Sequence, residues 1–113
     1  IPEFPRQRPL LFGRPPRLTA LPSAIVEISL PIDNFGQVAS LPTIVQVELR
    51  IGDHFTETHQ AIIEGVSPYL TNRLVTSFTV PEEARQGPIS ISIIIDPNGP
   101  YPESQRFTGG RIR

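Results

Sequence analysis

The sequence predicts an all-β domain, an immunoglobulin-like antiparallel β-sandwich of about seven strands with an extended N-terminal arm. Three observations predict it. Apolar and polar residues alternate with period two over several stretches, the pattern of strands with one buried face. Turn-forming residues recur at intervals of roughly 8–16 residues between those stretches, as in a sandwich. No stretch carries a long apolar stripe at the 3.6-residue spacing of a helix. At 113 residues the chain has room for one domain of ordinary size and not for two.

Residues 1–22 hold six of the fourteen prolines and four arginines against the single acid Glu3. Proline at that density dictates an extended chain. The segment also carries Phe4, Leu10, Leu11, Phe12, Leu18 and Leu21, too much apolar surface for a solvated linker. It is expected to act as an arm that contacts a neighbouring subunit through Phe4, Arg6, Arg8, Leu10, Leu11, Phe12, Arg14 and Arg17.

Residues 23–108 read as the sandwich itself. Val26, Ile28 and Leu30 alternate with Glu27 and Ser29, and Pro31 is expected to end that strand. The clearest strand is 43–51, where Val45, Val47, Leu49 and Ile51 alternate with Gln46, Glu48 and Arg50. A strand over 55–63 follows, then 74–80 with Leu74, Thr76, Phe78 and Val80 on one face, and 89–95 with four isoleucines on one side. Between them stand Asp33-Asn34-Phe35-Gly36, Gly52-Asp53, Gly65-Val66-Ser67-Pro68, Gln86-Gly87-Pro88 and Asp96-Pro97-Asn98-Gly99-Pro100. Each is built from residues that tolerate positive φ, preset φ or bond locally. Glu82 to Arg85, after Pro81, suits a single helical turn. Residues 109–113 form a short basic tail, mobile unless docked.

Charge is segregated along these parts. The arm carries +3, residues 23–108 carry four arginines against ten acids, and the tail carries +2, for a net −1. A basic arm and an acidic body favour docking on a neighbour, since opposite fields steer association. The alternative is that exposed strands are simply acidic.

The composition argues against several kinds of chemistry. Cysteine, methionine, tryptophan and lysine are absent, which removes disulfides, thiolate metal sites and Schiff-base chemistry. No apolar run approaches the roughly 20 residues that span a bilayer. His54 and His59 are five apart, so on a strand they fall on opposite faces and do not share a metal. No nucleophile elbow, glycine-rich phosphate loop or dense acidic metal loop is present. Asp96, Asn98 and Glu103 read as turn chemistry. Four arginines in the arm would suit phosphates, but the acidic body and the lack of an aromatic platform argue against nucleic acid. The expectation is a non-catalytic chain without cofactor or metal.

Several of these pieces, taken in order, resemble the CARDB family, cell-adhesion-related domains of bacteria and archaea. They are Ala24 to Ile28, then Val45-Gln46-Val47-Glu48-Leu49, then Ile63 to Pro68 leading to 75–81, then Ile93-Ile94-Ile95-Asp96-Pro97-Asn98-Gly99-Pro100-Tyr101-Pro102-Glu103-Ser104. The last stretch is similar to that family's closing motif and is the most specific part. The resemblance implies a seven-stranded immunoglobulin-like sandwich in an extracellular or cell-surface protein, with a structural or adhesive role. The arm and the charge segregation add self-association into a filament or surface layer. The alternative is an accessory domain of a larger secreted protein that binds a surface carbohydrate or a protein, against which stand the presence of only two tyrosines, Tyr69 and Tyr101, and the lack of tryptophan. Where the family continues with an Asn-Asn pair and a final strand, this chain reads Gln105-Arg106-Phe107-Thr108-Gly109-Gly110. That departure leaves the final strand open to be missing, and an open edge would be filled by a strand donated from another molecule.

Overall fold

A computed structural model describes residues 9–113. Among the described residues all regular structure is β apart from one 3-10 turn, Glu82–Ala84, directly after Pro81. Eight strands follow in order: β1 (Leu11–Gly13), β2 (Arg17–Leu21), β3 (Ile25–Asn34), β4 (Thr43–Ile51), β5 (Phe55–Ile63), β6 (Thr71–Thr79), β7 (Ile89–Ile95) and β8 (Glu103–Thr108). They form two antiparallel sheets. In the first, β3 is central, with β6 along one side and β2 and β1 end to end along the other. The second runs β5-β4-β7-β8.

Period two decides what is inside. Val26, Ile28, Leu30 and Ile32 of β3 face Val45, Val47, Leu49 and Ile51 of β4 and the four odd-numbered isoleucines of β7, all buried. Leu74 and Phe78 extend this layer on β6. Branched side chains stiff at χ1 suit such a pleated interface.

Three features differ from the sequence expectation. First, β3 does not end at Pro31 but runs on to Asn34. Proline is harmless there because its neighbour on that side changes from β2 to β1 at this point. Its carbonyl accepts the Arg14 N–H at 2.9 Å, so its polar edge faces the break and not β6. Second, the final strand is present: β8 pairs with β7 from Ser90↔Thr108 to Ile95↔Glu103. No donated strand is needed at that position.

Third, the proline-rich segment is extended, but from Leu11 it belongs to the first sheet. Gly13 opposes Ile32 and Arg17 opposes Ser29, so three residues, Arg14, Pro15 and Pro16, face two. β1 and β2 are thus one edge strand interrupted by a one-residue bulge. Counting them as one path gives seven. The tail is docked as well: Ile112 bridges Leu18 in parallel, with Arg113 N–H on the Leu18 carbonyl at 3.0 Å and Ala20 N–H on the Arg113 carbonyl at 2.6 Å.

Candidate functional site

The end of the sandwich where β1 begins gathers the loops 35–42, 64–70 and 96–102. Asn34, wholly enclosed, organises this apex. Its Oδ1 accepts the N–H groups of Leu10 at 3.1 Å and Gly36 at 2.9 Å, and its Nδ2 donates to the carbonyls of Val38 at 2.8 Å and Val66 at 2.9 Å. Both donors and the acceptor are thereby used, which a buried amide needs. Ser40, also buried, exchanges two bonds with Val66: its Oγ accepts the Val66 N–H at 2.8 Å and its own N–H reaches the Val66 carbonyl at 2.9 Å.

The segment 10–14 lies in a groove between the two sheets. Leu10 is held by its backbone, donating to Asn34 and accepting the Phe35 N–H at 2.8 Å. Leu11 enters the core. Phe12 meets Phe35 with ring centroids 5.8 Å apart, tilted by 52°. Gly13 is read on both backbone groups by Gln105 of β8, whose Oε1 accepts the Gly13 N–H at 2.6 Å and whose Nε2 donates to the Gly13 carbonyl at 2.9 Å. This side chain stands in for a neighbouring strand and ties the edge of one sheet to the other. A Cβ at Gly13 would sit 2.7 Å from Ile93 Cδ1, so a larger residue there requires the end of that buried side chain to shift.

Arg14 closes the segment on Asp33. Its Nε lies 2.6 Å from Oδ2 and its Nη2 2.8 Å from Oδ1, a bidentate pair, and the Thr71 hydroxyl donates to the same carboxylate. The hydrogen bond from Arg14, assisted by that from Thr71, holds the Asp33 carboxyl below the usual range although burial opposes it.

A cleft of about 270 Å³ opens beside this segment, lined by Pro9, Leu10, Leu11, Phe12, Thr43, Ile95, Asp96, Pro100, Tyr101 and Glu103. Asp96, at φ 56°, starts the 96–99 turn, with its N–H on the Ile44 carbonyl at 2.8 Å and its own carbonyl accepting the Gly99 N–H at 3.0 Å. A second, shallower cleft of about 490 Å³ lies between Pro15, Pro16, Arg17 and Leu18 and the tail, and carries Arg17, Arg111 and Arg113.

Exposed apolar surface is concentrated at the apex. Of the nine large apolar side chains exposed among the described residues, only Leu21 and Val75 lie elsewhere; Phe35, Leu41, Ile44, Ile62, Tyr69, Leu70 and Tyr101 are in the three loops or the strand ends beside them. Tyr69 is held at φ 61°, a strained conformation for a bulky residue.

Of the residues singled out in the arm, Phe4, Arg6 and Arg8 lie outside the described residues. Leu10, Leu11, Phe12 and Arg14 are brought together in the groove, while Arg17 is separate, exposed on β2 beside the second cleft. Asp96 and Glu103 share the apical cleft, and Asn98 is exposed on the turn above them. His54 is exposed in the β4–β5 turn, whereas His59 faces inward from β5, stacked on Phe78 at 4.0 Å with Glu57 3.5 Å from its Nε2. Asn34, Asp33, Ser40 and Gln105 were not singled out; Asn34 and Asp33 read locally as a turn, and nothing near Gln105 in sequence points to a partner 92 residues away.

No family model matches the chain, and no curated protein matches it in sequence. Solved structures do. β-Glucosidase 3B from Thermotoga neapolitana is 14% identical over 89% of this chain with a TM-score of 0.57, and a β-glucosidase from Erythrobacter marinus is 17% identical over 88% with a TM-score of 0.51. This chain spans only 17% and 15% of those two proteins, so what they share with it is the fold of one segment. The CARDB domain of a Pyrococcus furiosus protein, described in complex with di-metal ions, is 14% identical, covering 93% of this chain and 96% of that domain with a TM-score of 0.45. The chain is an antiparallel β-sandwich, a fold it shares with one segment of each of the two β-glucosidases.

Proposed function

We propose that this chain is a non-catalytic, extracellular structural or adhesive module that associates with copies of itself, as a subunit of a filament or surface layer. The observation that carries the proposal is the crowding of exposed apolar side chains at the apex, the end at which the N-terminal segment enters. A contiguous apolar patch on an otherwise polar surface marks a contact site. Charge supports the same reading. Asp96 and Glu103 line the apical cleft, while Arg17, Arg111 and Arg113 surround the other one. Complementary surfaces at different places on one subunit favour head-to-tail contact, which propagates when the rotation does not close. The extracellular setting is supported by the likeness of the closing sequence motif, residues 93–104, to that of CARDB domains.

The test is light scattering and negative-stain microscopy at rising concentration, with and without residues 1–8. Filaments or higher oligomers are expected for the full chain, reduced by high salt and by the truncation. A chain that stays monomeric in both forms at about 1 mM overturns the reading.

A second reading, an accessory domain binding carbohydrate in a larger secreted protein, is favoured by the exposed Tyr69 and Tyr101 on the apex. Retardation in polysaccharide-containing gels, lost on Y69A or Y101A, is its signature.

A further inference from the structure

Residues 10–14 are bound much as a peptide ligand is bound, and the body reads them one by one. Leu10 is fixed through its backbone by Asn34 and Phe35, Leu11 fills an apolar site, Phe12 meets Phe35, Gly13 is clamped by Gln105, and Arg14 is paired with Asp33. Every one of these contacts comes from parts of the chain that follow the bulge. Arg14 and Pro15 in that bulge are exposed, and its one backbone bond is from Arg14 N–H to Pro31. A short segment with a dedicated groove and a proline-stiffened connector has the make-up of an exchangeable strand.

We propose that the groove accepts the Leu10-Leu11-Phe12-Gly13-Arg14 segment of a second copy of this chain, the two copies exchanging β1 about Pro15 and Pro16. This rests on the self-association reading and names its partner and its contact. No other stretch of the sequence offers Leu-Leu-Phe-Gly-Arg, so the groove's chemistry is specific to this chain's own arm. Each contact made within one chain is remade identically between two, and the exchange costs only the change of direction at the connector. The two-residue connector, Pro15 and Pro16, reaches about 7 Å. Donor segment and acceptor groove sit at the same end of the molecule, so exchange brings two apices together and is reciprocal. The product is a two-fold pair that brings the exposed Phe35, Tyr69 and Leu70 of the two apices together, and this pair, not a head-to-tail contact, is then the unit of self-association at the apex.

The absence of cysteine makes a clean test. In the F12C/F35C variant the two introduced thiols fall within reach of a short bis-maleimide whichever chain supplies the segment, because the Phe12 and Phe35 side chains are in contact, with ring centroids 5.8 Å apart. After bridging, exchange predicts a product of twice the chain mass on a denaturing gel. An equal mixture of F12C and F35C chains refolded together is expected to yield a crossed dimer with one residue from each. Linked product found only within single chains overturns the exchange. The solution mass of the unmodified protein, measured in parallel, separates the two ideas: intrachain links in a protein that still assembles sink the exchange alone, and intrachain links in a protein that is monomeric sink self-association with it.

Discussion

Asn34 bonds at once to the incoming segment, the 35–42 loop and the 64–70 loop. Replacing it with alanine leaves buried donors and carbonyls without partners, and N34A is expected to lose about 3 kcal/mol, read as a lower urea midpoint. Gly13 is limited by space: G13A pushes a methyl group against Ile93 and should cost about 1–3 kcal/mol. Asp33 confers pH dependence. Its pKa is lowered in the folded chain, so its contribution is complete above the unfolded carboxyl value of about 3.9 and is lost as pH falls through the folded one. Thermal melts between about pH 6 and about pH 2 should show this loss, and D33N, less stable near pH 6, should show a shallower slope that brings it toward the parent chain over the acid range.

At the level of elements, the legible strands were those whose neighbours did not matter. β4 and β7 alternate so regularly that burial of one face follows from sequence alone, and their registers then pair Val45, Val47 and Leu49 with Ile95, Ile93 and Ile91. β1 and β2 were not legible as strands because they are only three and five residues long and are set among prolines and arginines. They are strands because β3, Asn34, Asp33 and Gln105 supply partners distant in sequence, and Pro31 looked like a stop for the same reason. β8 has one large apolar residue, Phe107, among its six, and period two has little to act on. The docking of β1 and β2 also changes how the arm is to be removed. Leu11 and Leu18 belong to the core, so a truncation through residue 18 should unfold the body, as L18A should cost about 2–5 kcal/mol. A truncation after residue 8 should leave the circular dichroism and melting temperature close to those of the full chain.

Across the whole molecule, the two ends of the sandwich differ in kind. One presents Phe35, Leu41, Tyr69, Leu70 and Tyr101; the other presents the Gly52–His54 turn, Glu82 and Glu83, with Leu21 as its large exposed apolar side chain among the described residues. The candidate site could be read from the sequence only as far as the composition of the arm. Its place on the apex depends on three loops that come together through the topology, and exposed Phe35 and Leu70 look like ordinary core residues until the fold is known.

The parallel docking of the tail on β2 has a mechanical consequence. β2 runs away from the apex, and Ile112 and Arg113 run the same way beside it. A load that pulls the N-terminal side through the apex and the C-terminal side toward the other end therefore acts along these two segments in opposite directions. The bonds Arg113 N–H to Leu18 and Ala20 N–H to Arg113 are then sheared together and not peeled open in turn, and forced rupture is governed by that barrier to unfolding. Single-molecule stretching between the termini should give a clear force peak, lowered in R113P, where the donor to Leu18 is gone. The sandwich would thus carry tension along its long strands with β2 and the tail already clasped along the same edge.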